Sequence, residues 1–276
     1  MPFISTVTGS FTAGRRANAF SSPPAAWSPA NDITAAMWLD ASDTTSYTQS
    51  GSTLTSVTDK AGNFTVTIDG TPTFLNALNG KEVWDFDGSE SLITNSGPWS
   101  SSGNHWAIGV FQWHSTDSTK DSFWSADGSK TYAVSSSRND NAWDGEIDYD
   151  GSNLISSGLA KNDFTVGISS STWTIVSIVF NKTANQIFGR LNGTTRTDVD
   201  PYNSSMNTNA SDVRMMRNRA NVKLDGRMAE YFHVAGAPGT GGNDITDVQK
   251  AEGYLAHKWG LTGNLPVSHP YKSSAP

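Results

Sequence analysis

Short apolar and aromatic runs, each closed by a turn, are the feature that most constrains how this chain can fold. Six runs are spaced along the sequence: 35–39, 64–68, 106–111, 173–180, 186–191 and 228–234. Asp-Gly or Asn-Gly pairs separate them, at 69–70, 79–80, 87–88, 127–128, 150–151, 192–193 and 225–226. These dipeptides favour the tight turns of β-hairpins. The pattern therefore predicts an all-β protein, an antiparallel β-sandwich or barrel.

A segment near the C-terminus predicts a helix instead. Apolar side chains recur there at three- to four-residue intervals, the period of an amphipathic helix: Ile245, Val248, Ala251, Leu255 and Trp259. Asn243 or Asp244 is expected to cap its N-terminus, and Gly260 to end it in the left-handed conformation. Gly253 lies inside this helix, where glycine costs about 1 kcal/mol relative to alanine. We attribute it to close packing of the helix on a sheet face.

Composition excludes several classes of function. The 276 residues include no cysteine, so disulfides, thiolate metal sites and a catalytic thiol are ruled out. The formal net charge of -7, from 19 basic and 26 acidic residues, argues against nucleic acid as a ligand. No stretch approaches the roughly 20 apolar residues of a membrane span, and the first residues lack the pattern of a secretory signal. We therefore expect neither membrane insertion nor export.

Residues 1–30 differ from the rest of the chain. They are mostly small and polar, and the segment 21–29 is rich in proline, which fixes φ and removes a backbone donor. We predict an extended arm and linker over residues 1–30, followed by a β-sandwich over 31–276. An arm of this composition has little of its own to order it, so we expect a neighbouring protein to hold it.

Several motifs carry a family resemblance: Trp38–Asp43, Asp59–Asn63, Val83–Ser89, Gly253–Leu261, Leu265–Pro266 and His269–Tyr271. They resemble the concanavalin A-like, laminin-G-like jelly rolls that are common in bacterial surface and phage proteins. The resemblance covers about residues 27–271 and implies an all-β antiparallel jelly roll with one C-terminal amphipathic helix. Because sandwiches of this kind serve as lectins, adhesins, accessory domains and virion parts, it says more about fold than about function.

The arm has a resemblance of its own, since the segment Val7–Arg15 is similar to the openings of virion proteins from marine tailed phages. Together the two resemblances imply a non-enzymatic virion structural protein, a tail fibre or capsid decoration, that displays a lectin-like sandwich for host attachment or particle stabilisation. It would be assembled in the host cytoplasm, lie on the virion surface and form homo-oligomers. The arm would contact other virion proteins through these residues: Phe3, Ile4, Phe11, Arg15 and Arg16. The alternative is a carbohydrate-binding adhesin or surface lectin.

An acidic segment supports a second, enzymatic alternative. Glu146, Asp148 and Asp150 alternate, so in a strand they would line one face. This resembles the Glu-x-Asp-x-Glu set of laminarinase-type glycoside hydrolases, whose retaining mechanism needs two carboxyl groups about 5 to 5.5 Å apart. Asp150 is one methylene shorter than the glutamate of that set. The competing interpretation is a solvated acidic hairpin strand, and we expect no enzymatic activity.

Oxygen-rich turns offer a candidate calcium site. Asp40, Asp43, Asp85 and Asp87 could supply the oxygen ligands that calcium prefers, whereas the competing role for them is turn capping. We expect no cofactor, with calcium as the alternative. The five histidines show no short metal-type spacing, and the family pattern places His257 and His269 in its C-terminal signature, as hydrogen-bonded packing residues.

Four further residues are candidates for glycan binding. Trp99 and Trp143 lie in turn-rich surroundings and could stack on pyranose rings. Arg217 and Arg219 belong to a basic segment in an otherwise acidic chain and would share one strand face. Such a face could meet a sulfated or acidic glycan or an acidic neighbouring subunit, or it could be a solvated face of the sandwich. Host surface glycan is thus the expected ligand of the lectin-like alternative.

Overall fold

A computed structural model describes residues 27–98, 103–114, 121–126, 130–139, 142–151, 162–164, 171–184, 186–195, 212–217 and 221–276. Its strands, in chain order, are β1 (Met37–Asp40), β2 (Tyr47–Ser50), β3 (Thr53–Val57), β4 (Val66–Asp69), β5 (Thr73–Leu78), β6 (Lys81–Asp87), β7 (Ser91–Thr94), β8 (His105–Trp113), β9 (Asp121–Ala126), β10 (Lys130–Asn139), β11 (Ala142–Gly151), β12 (Asn162–Phe164), β13 (Thr174–Asn181), β14 (Gln186–Leu191), β15 (Thr194–Thr195), β16 (Val213–Met215) and β17 (Asp225–Val234). The predicted all-β class is therefore confirmed.

The strands form two stacked antiparallel sheets. One has ten strands in the order β15-β14-β13-β8-β17-β6-β5-β3-β2, with β1 beside β17. The other has seven strands in the order β12-β11-β10-β9-β16-β7-β4. Strand β17 lies at the centre of the larger sheet: it pairs with β8 along one side, and with β6 and then β1 along the other. The predicted antiparallel sandwich is thus confirmed.

Tight turns explain why the hairpins close where they do. Asn79 and Gly80, between β5 and β6, have φ values of 50° and 69°, so both take the left-handed conformation of a type I′ turn. Asn192 and Gly193, between β14 and β15, repeat the arrangement with φ values of 49° and 79°. The predicted turn at 225–226 is wrong, because both residues lie in β17. A Cβ on Gly226 would lie 2.5 Å from the Gln112 carbonyl oxygen, so strand packing requires this glycine.

Helices complete the described structure. Helix α1 (Pro29–Asp32) is a single turn, α2 (Thr246–Trp259) is the predicted C-terminal helix, and a short 3-10 helix (Thr262–Asn264) follows it. The Asp244 carboxylate accepts a hydrogen bond from the Thr246 backbone amide at 2.9 Å, and Gly260 ends α2 with φ of 71°. The C-terminal end of α2 therefore forms as its sequence predicts. The N-cap residue is Ile245, which makes no side-chain capping bond, rather than the predicted Asn243 or Asp244. Within the described ranges, no helix combines the length and apolar character that crossing a membrane requires.

Two apolar cores lie on opposite faces of the ten-stranded sheet. Between the two sheets, Trp84, Phe111 and Trp113 pack against Phe123 and Trp124 of the smaller sheet. A second core, which we call the helix-side core, fills the space between the larger sheet and α2, and includes Trp106, Ile108, Val110, Val248, Leu255 and Trp259. Because alternate residues of β8 enter different cores, the strand is buried along its whole length. The molecule thus has three layers, with α2 on the outside of the larger sheet.

Gly253 brings α2 against the C-terminal segment, residues 265–276, rather than against a sheet. A Cβ at this position would lie 2.4 Å from Cβ of Tyr271, which is closer than side chains can approach. The expectation of close packing is therefore right, but the expected partner is wrong. His257 Nε2 donates a hydrogen bond to the Tyr271 carbonyl oxygen at 3.0 Å, since a carbonyl oxygen can only accept. The C-terminal segment is thus fixed along the outer face of α2.

Glu230 anchors the inner face of α2 to the larger sheet. Its carboxylate, fully buried, accepts hydrogen bonds from the indole N–H groups of Trp38 and Trp259, both at 2.8 Å. The Tyr254 hydroxyl donates to it at 3.0 Å, and Lys258 Nζ lies 2.7 Å from it. Burial raises the pKa of Glu230, and the nearby Asp40 carboxylate adds to the rise. Two strands and the helix therefore share one buried acceptor.

The N-terminal boundary of the sandwich lies before residue 30. Trp27 is buried in the helix-side core, with its ring centroid 5.2 Å from that of Tyr254 in α2. Ser28 caps α1 by accepting a hydrogen bond from the Asn31 amide. The boundary predicted between residues 30 and 31 thus falls inside α1, and residues 27–30 pack with the sandwich. The remainder of the predicted arm, residues 1–26, lies outside the described residues.

Candidate functional site

A cavity of about 290 Å³ lies where the edge of the larger sheet meets α2 and the C-terminal segment. We call it the Arg190 pocket. Its wall includes the buried side chains of Arg190 and His269, and its other lining residues are Gly193, Thr194, Thr195, Gln249, Pro266 and Ser268. Thr194, Thr195 and Ser268 are exposed, and Gln249 is partly buried. The pocket therefore combines a buried charged wall with an uncharged polar rim.

The turn between β14 and β15 shapes one side of the pocket. Gly193 follows Asn192 in this turn, and a Cβ on it would lie 2.8 Å from Cδ2 of His269. The Gly193 carbonyl oxygen accepts a hydrogen bond from Arg190 at 2.6 Å. The glycine therefore serves two purposes, because it permits the left-handed turn and lets the turn contact the C-terminal segment.

An ion pair between Arg190 of β14 and Glu252 of α2 forms the wall. Arg190 Nε donates to Glu252 Oε1 at 2.7 Å, and Nη2 donates to Oε2 at 2.9 Å, which is the bidentate arrangement that guanidinium favours with carboxylate. The side chains are only 4% and 1% exposed. Arg190 also donates to the Thr195 hydroxyl. The pair fixes the helix to the sheet edge and orients the guanidinium.

His269 forms the rest of the buried wall, and its hydrogen bonds indicate which ring nitrogen carries the proton. Its Nε2 lies 3.0 Å from Glu252 Oε2, and the Tyr271 backbone amide donates to its Nδ1 at 3.2 Å. Because Nδ1 accepts and Nε2 donates, these bonds fit the neutral tautomer with its proton on Nε2. Burial opposes ionisation of Glu252, but His269 and Arg190 outweigh it and hold the pKa of Glu252 below its ordinary value. Glu252 is therefore the anion that balances Arg190.

Hydrogen bonds occupy both ring nitrogens of the histidine in the wall of the Arg190 pocket. A general base needs a free acceptor within reach of a substrate proton, but both ring nitrogens of His269 are engaged with Glu252 and Tyr271. The rim offers hydroxyl groups and an amide, which both donate and accept hydrogen bonds. Since Arg190 and His269 are held by buried partners, the wall is preorganised for a ligand.

The four carboxylates of the predicted calcium site are not brought together. Lys60 Nζ lies 2.8 Å from both Asp40 and Asp43, and Lys258 Nζ lies 2.8 Å from Asp40. These ammonium groups occupy the positions of a cation. In the portion of the chain that the structure describes, no group of three or more histidine, aspartate or glutamate side chains could hold a metal ion.

The remaining two carboxylates have local partners. Asp85 lies 2.6 Å from Arg227, and Asp87 accepts hydrogen bonds from the backbone amide and hydroxyl of Ser89. The bonds at Asp87 are those of a capped turn, which was the competing interpretation.

The pKa values of Asp40 and Asp43 agree with lysine partners rather than calcium ligation. Burial would raise the pKa of Asp40, but Lys258 and Lys60 hold it below its ordinary value. The hydrogen bond from Lys60 lowers the pKa of Asp43 to about 2.

Arg217 is tied to its own chain. Its Nη1 donates to Asp69 at 3.0 Å, its Nη2 donates to Asn221 at 2.7 Å, and the side chain is 13% exposed. Lys223 also lies 3.0 Å from Asp69. The guanidinium therefore serves an internal network with Asp69 and Asn221. Arg219, its predicted companion, lies outside the described residues.

The other predicted site residues stay predictions. Glu146, Asp148 and Asp150 lie in β11, where Glu146 pairs with Ser135 of β10 and Asp163 of β12. Trp143 lies in the same strand, opposite Arg138. The rest lie outside the described residues: Trp99, Phe3, Ile4, Phe11, Arg15 and Arg16.

Sequence reasoning missed the Arg190 pocket, although one signal for it is present. Glu252 lies four residues after Val248 and three before Leu255, so the helical period places a carboxylate on the apolar face of α2. A charged group on a buried face needs a charged partner. That signal indicates a buried ion pair, but the sequence alone does not say which of the 19 basic residues supplies the partner.

The sandwich is similar to several solved structures. Domain 4 of AbnA, an extracellular arabinanase from Geobacillus stearothermophilus, in complex with arabinotriose, is 15% identical with a TM-score of 0.53, over 69% of this chain and 89% of that chain. The binding domain of botulinum neurotoxin DC with rat synaptotagmin II is 12% identical with a TM-score of 0.53, over 80% of this chain and 52% of that chain. The same toxin domain in complex with SialylT is 12% identical with a TM-score of 0.51, over 80% of this chain and 51% of that chain.

These similarities show the fold, a β-sandwich of the kind found in carbohydrate-binding and receptor-binding domains. The chain spans about half the length of the toxin chains that it matches. No protein-family model matches the sequence, and no curated protein matches it.

Proposed function

We propose that this protein is a non-enzymatic, lectin-like binding module and that its Arg190 pocket holds a sugar residue of a surface glycan. The observation that carries the proposal is the pocket itself, where hydroxyl and amide groups surround a charged wall that is already ordered. Two of the structurally similar sandwiches support the proposal, since they were solved in complex with arabinotriose and with SialylT. Ligand sites of this kind are concave and use a few fixed polar groups for orientation.

The polar groups at the rim of the pocket are held in position by the buried ion pair, which favours ligand binding. Gln249 projects from the first turn of α2, while Ser268 belongs to the C-terminal segment that Glu252 holds through His269. Because both are fixed to the same buried ion pair, a ligand that bridges them orders little that is not already ordered. Sugar hydroxyls can donate to one group and accept from the other.

A glycan array probed with the full chain tests the proposal. We expect retention on a defined set of glycans, with each glycan released chemically unchanged. The double variant Gln249→Ala/Ser268→Ala should bind at least about 10-fold more weakly, because two hydrogen bonds are lost. Ser56→Ala/Asn76→Ala, which removes exposed polar groups from β3 and β5, is the matched control and should bind normally. Failure of the folded protein to bind any glycan, or hydrolysis of a bound one, would contradict the proposal.

The finer proposal is that this sandwich is displayed on the virion surface of a tailed phage, in several copies. It is supported by the similarity of residues 7–15 to the openings of phage virion proteins and by the proline-rich segment that precedes Trp27. In this arrangement residues 1–26 contact another virion protein, and the sandwich recognises host glycan or stabilises the particle. Assembly would take place in the host cytoplasm.

Deletion of residues 2–26 separates the arm from the sandwich. Because Trp27 belongs to the helix-side core, the shortened chain should keep the melting temperature of the full chain. We expect it to be absent from purified particles, as measured by immunoblotting. A chain with residues 2–26 in scrambled order is the matched control for length and composition, and it should also be absent. Incorporation of either chain at the normal level would show that the arm has no anchoring role.

A further inference from the structure

We infer that the Arg190 pocket selects an uncharged pyranose, presented as a terminal residue, over a sugar that carries a carboxylate. This inference rests on the proposed glycan-binding function and concerns the same site. A pocket with an arginine in its wall would ordinarily be expected to take an anion. The contacts of Arg190 indicate the opposite preference.

The charge of Arg190 is already balanced. Glu252 takes two of its N–H groups in a bidentate pair, and the Gly193 carbonyl oxygen and the Thr195 hydroxyl accept others. His269 is bonded as a neutral imidazole, so it adds no charge. Among the residues that the structure describes, the wall therefore carries one positive and one negative group in direct contact, with no net charge to attract an anion.

A carboxylate in the pocket would meet an unfavourable wall. It would approach the Arg190 guanidinium from beside the Glu252 carboxylate, which is nearly fully buried and accepts from both Arg190 and His269. Two like charges would then share one cation, and the incoming carboxylate would lose water and gain only the uncharged donors of the rim, with no cation of its own. Acidic sugars are thus disfavoured by the same pair that makes the wall rigid.

An uncharged sugar ring matches the remaining groups. Thr194 and Ser268 supply hydroxyls and Gln249 supplies an amide, all of which can exchange hydrogen bonds with ring hydroxyls in either direction. Pro266 contributes an apolar ring that can lie against sugar C–H groups. The cavity volume of about 290 Å³ lies near the lower end of small-molecule sites, about 300 Å³. This size suits one ring rather than an extended chain, hence a terminal residue.

Matched sugar pairs test the selectivity. Galactose and galacturonate, and likewise glucose and glucuronate, differ at C6, where an alcohol replaces a carboxylate. In titration calorimetry or saturation-transfer NMR with the full chain at neutral pH, we expect at least one neutral sugar to bind and its uronate to bind about 10-fold more weakly or worse. The Gln249→Ala/Ser268→Ala variant should weaken neutral-sugar binding by about 10-fold.

A charge variant sharpens the test. Gln249→Lys places an unbalanced cation on the rim, so it should narrow the difference between uronate and neutral sugar by several-fold. Asn76→Lys on β5 adds the same charge elsewhere and should leave the difference unchanged. Equal or tighter uronate binding by the natural chain would overturn the inference and leave glycan binding at the pocket standing. Neutral-sugar binding of unchanged strength in the pocket variants would overturn the inference and also the assignment of the glycan to this pocket. Absence of binding to every sugar and every arrayed glycan would overturn both.

Discussion

Replacing Glu252 with alanine is expected to lower the free energy of unfolding by about 3 to 5 kcal/mol. The change leaves the Arg190 guanidinium buried without its counter-charge, and loss of one member of a buried ion pair typically has this effect. It also removes the acceptor of the His269 Nε2–H group. Urea denaturation followed by tryptophan fluorescence and circular dichroism would measure the difference.

Two further variants show whether the ion pair is responsible. Lys250→Ala breaks a partly exposed pair with Asp247 on the same helix, and pairs near the surface contribute about 0 to 1 kcal/mol. Arg190→Met/Glu252→Leu replaces both buried charges by apolar groups, so it should be more stable than Glu252→Ala alone. A Glu252→Ala protein within about 1 kcal/mol of the natural chain would show that the pair does not hold α2 to the sheet.

The effect of Glu252→Ala should also depend on pH. The pKa of Glu252 is lower in the folded protein than its ordinary value, so folding favours its ionised form. Its contribution is therefore present above the pKa of the unfolded chain, about 4.3, and is lost as pH falls through the folded-state pKa. The difference in stability between the natural chain and Glu252→Ala should accordingly shrink in acid.

Glu230→Ala is the second substitution with a large expected effect, a loss of about 3 kcal/mol or more. Trp38, Trp259 and Tyr254 each lose a buried acceptor at once, and a buried donor left without a partner costs about 1 to 3 kcal/mol. Because these residues belong to β1 and α2, detachment of the helix should accompany the loss. Thermal unfolding by calorimetry would measure the stability, and proteolysis near residue 245 would report the detachment.

The matched variant for this site is Glu230→Gln. It keeps one acceptor oxygen and nearly the same shape, but places an amide group where the second oxygen lay. Burial raises the pKa of Glu230, which means that the fold disfavours its charge, so removal of the charge alone should cost less than removal of the side chain. Equal losses for the two variants would contradict the role of Glu230 as a shared acceptor.

Local sequence patterns predict most of the architecture. Alternating runs place β8, β13, β14 and β17, since strand periodicity and turn residues act within a few positions. The Asn-Gly pairs predict two hairpin turns because few other dipeptides tolerate two consecutive left-handed residues. The C-terminal helix is equally evident from its apolar period and Gly260. The Asp-Gly pair at 225–226 misleads, because the glycine there is needed for close strand packing.

The site depends on contacts that local patterns do not encode. Arg190 and Glu252 are 62 residues apart, and Lys258 reaches Asp40 across 218 residues. An aspartate in a turn has the same local sequence whether it binds calcium or a lysine ammonium group, so only the folded structure distinguishes the two roles. The resemblance of Gly253–Leu261 to a family signature indicates a helix but not the buried acceptor that fixes it. Pairing over such separations is decided by tertiary packing.

The central place of β17 has a consequence for how the chain is made. A ribosome completes β1, β6 and β8 well before it releases residues 225–234, which join all three. Until then the edges of β8, β6 and β1 that pair with β17 have no partner, and unpaired strand edges promote aggregation. Closure must wait for distant partners, which slows folding in topologies of this kind. Interrupted synthesis would therefore yield aggregation-prone fragments rather than a smaller working domain.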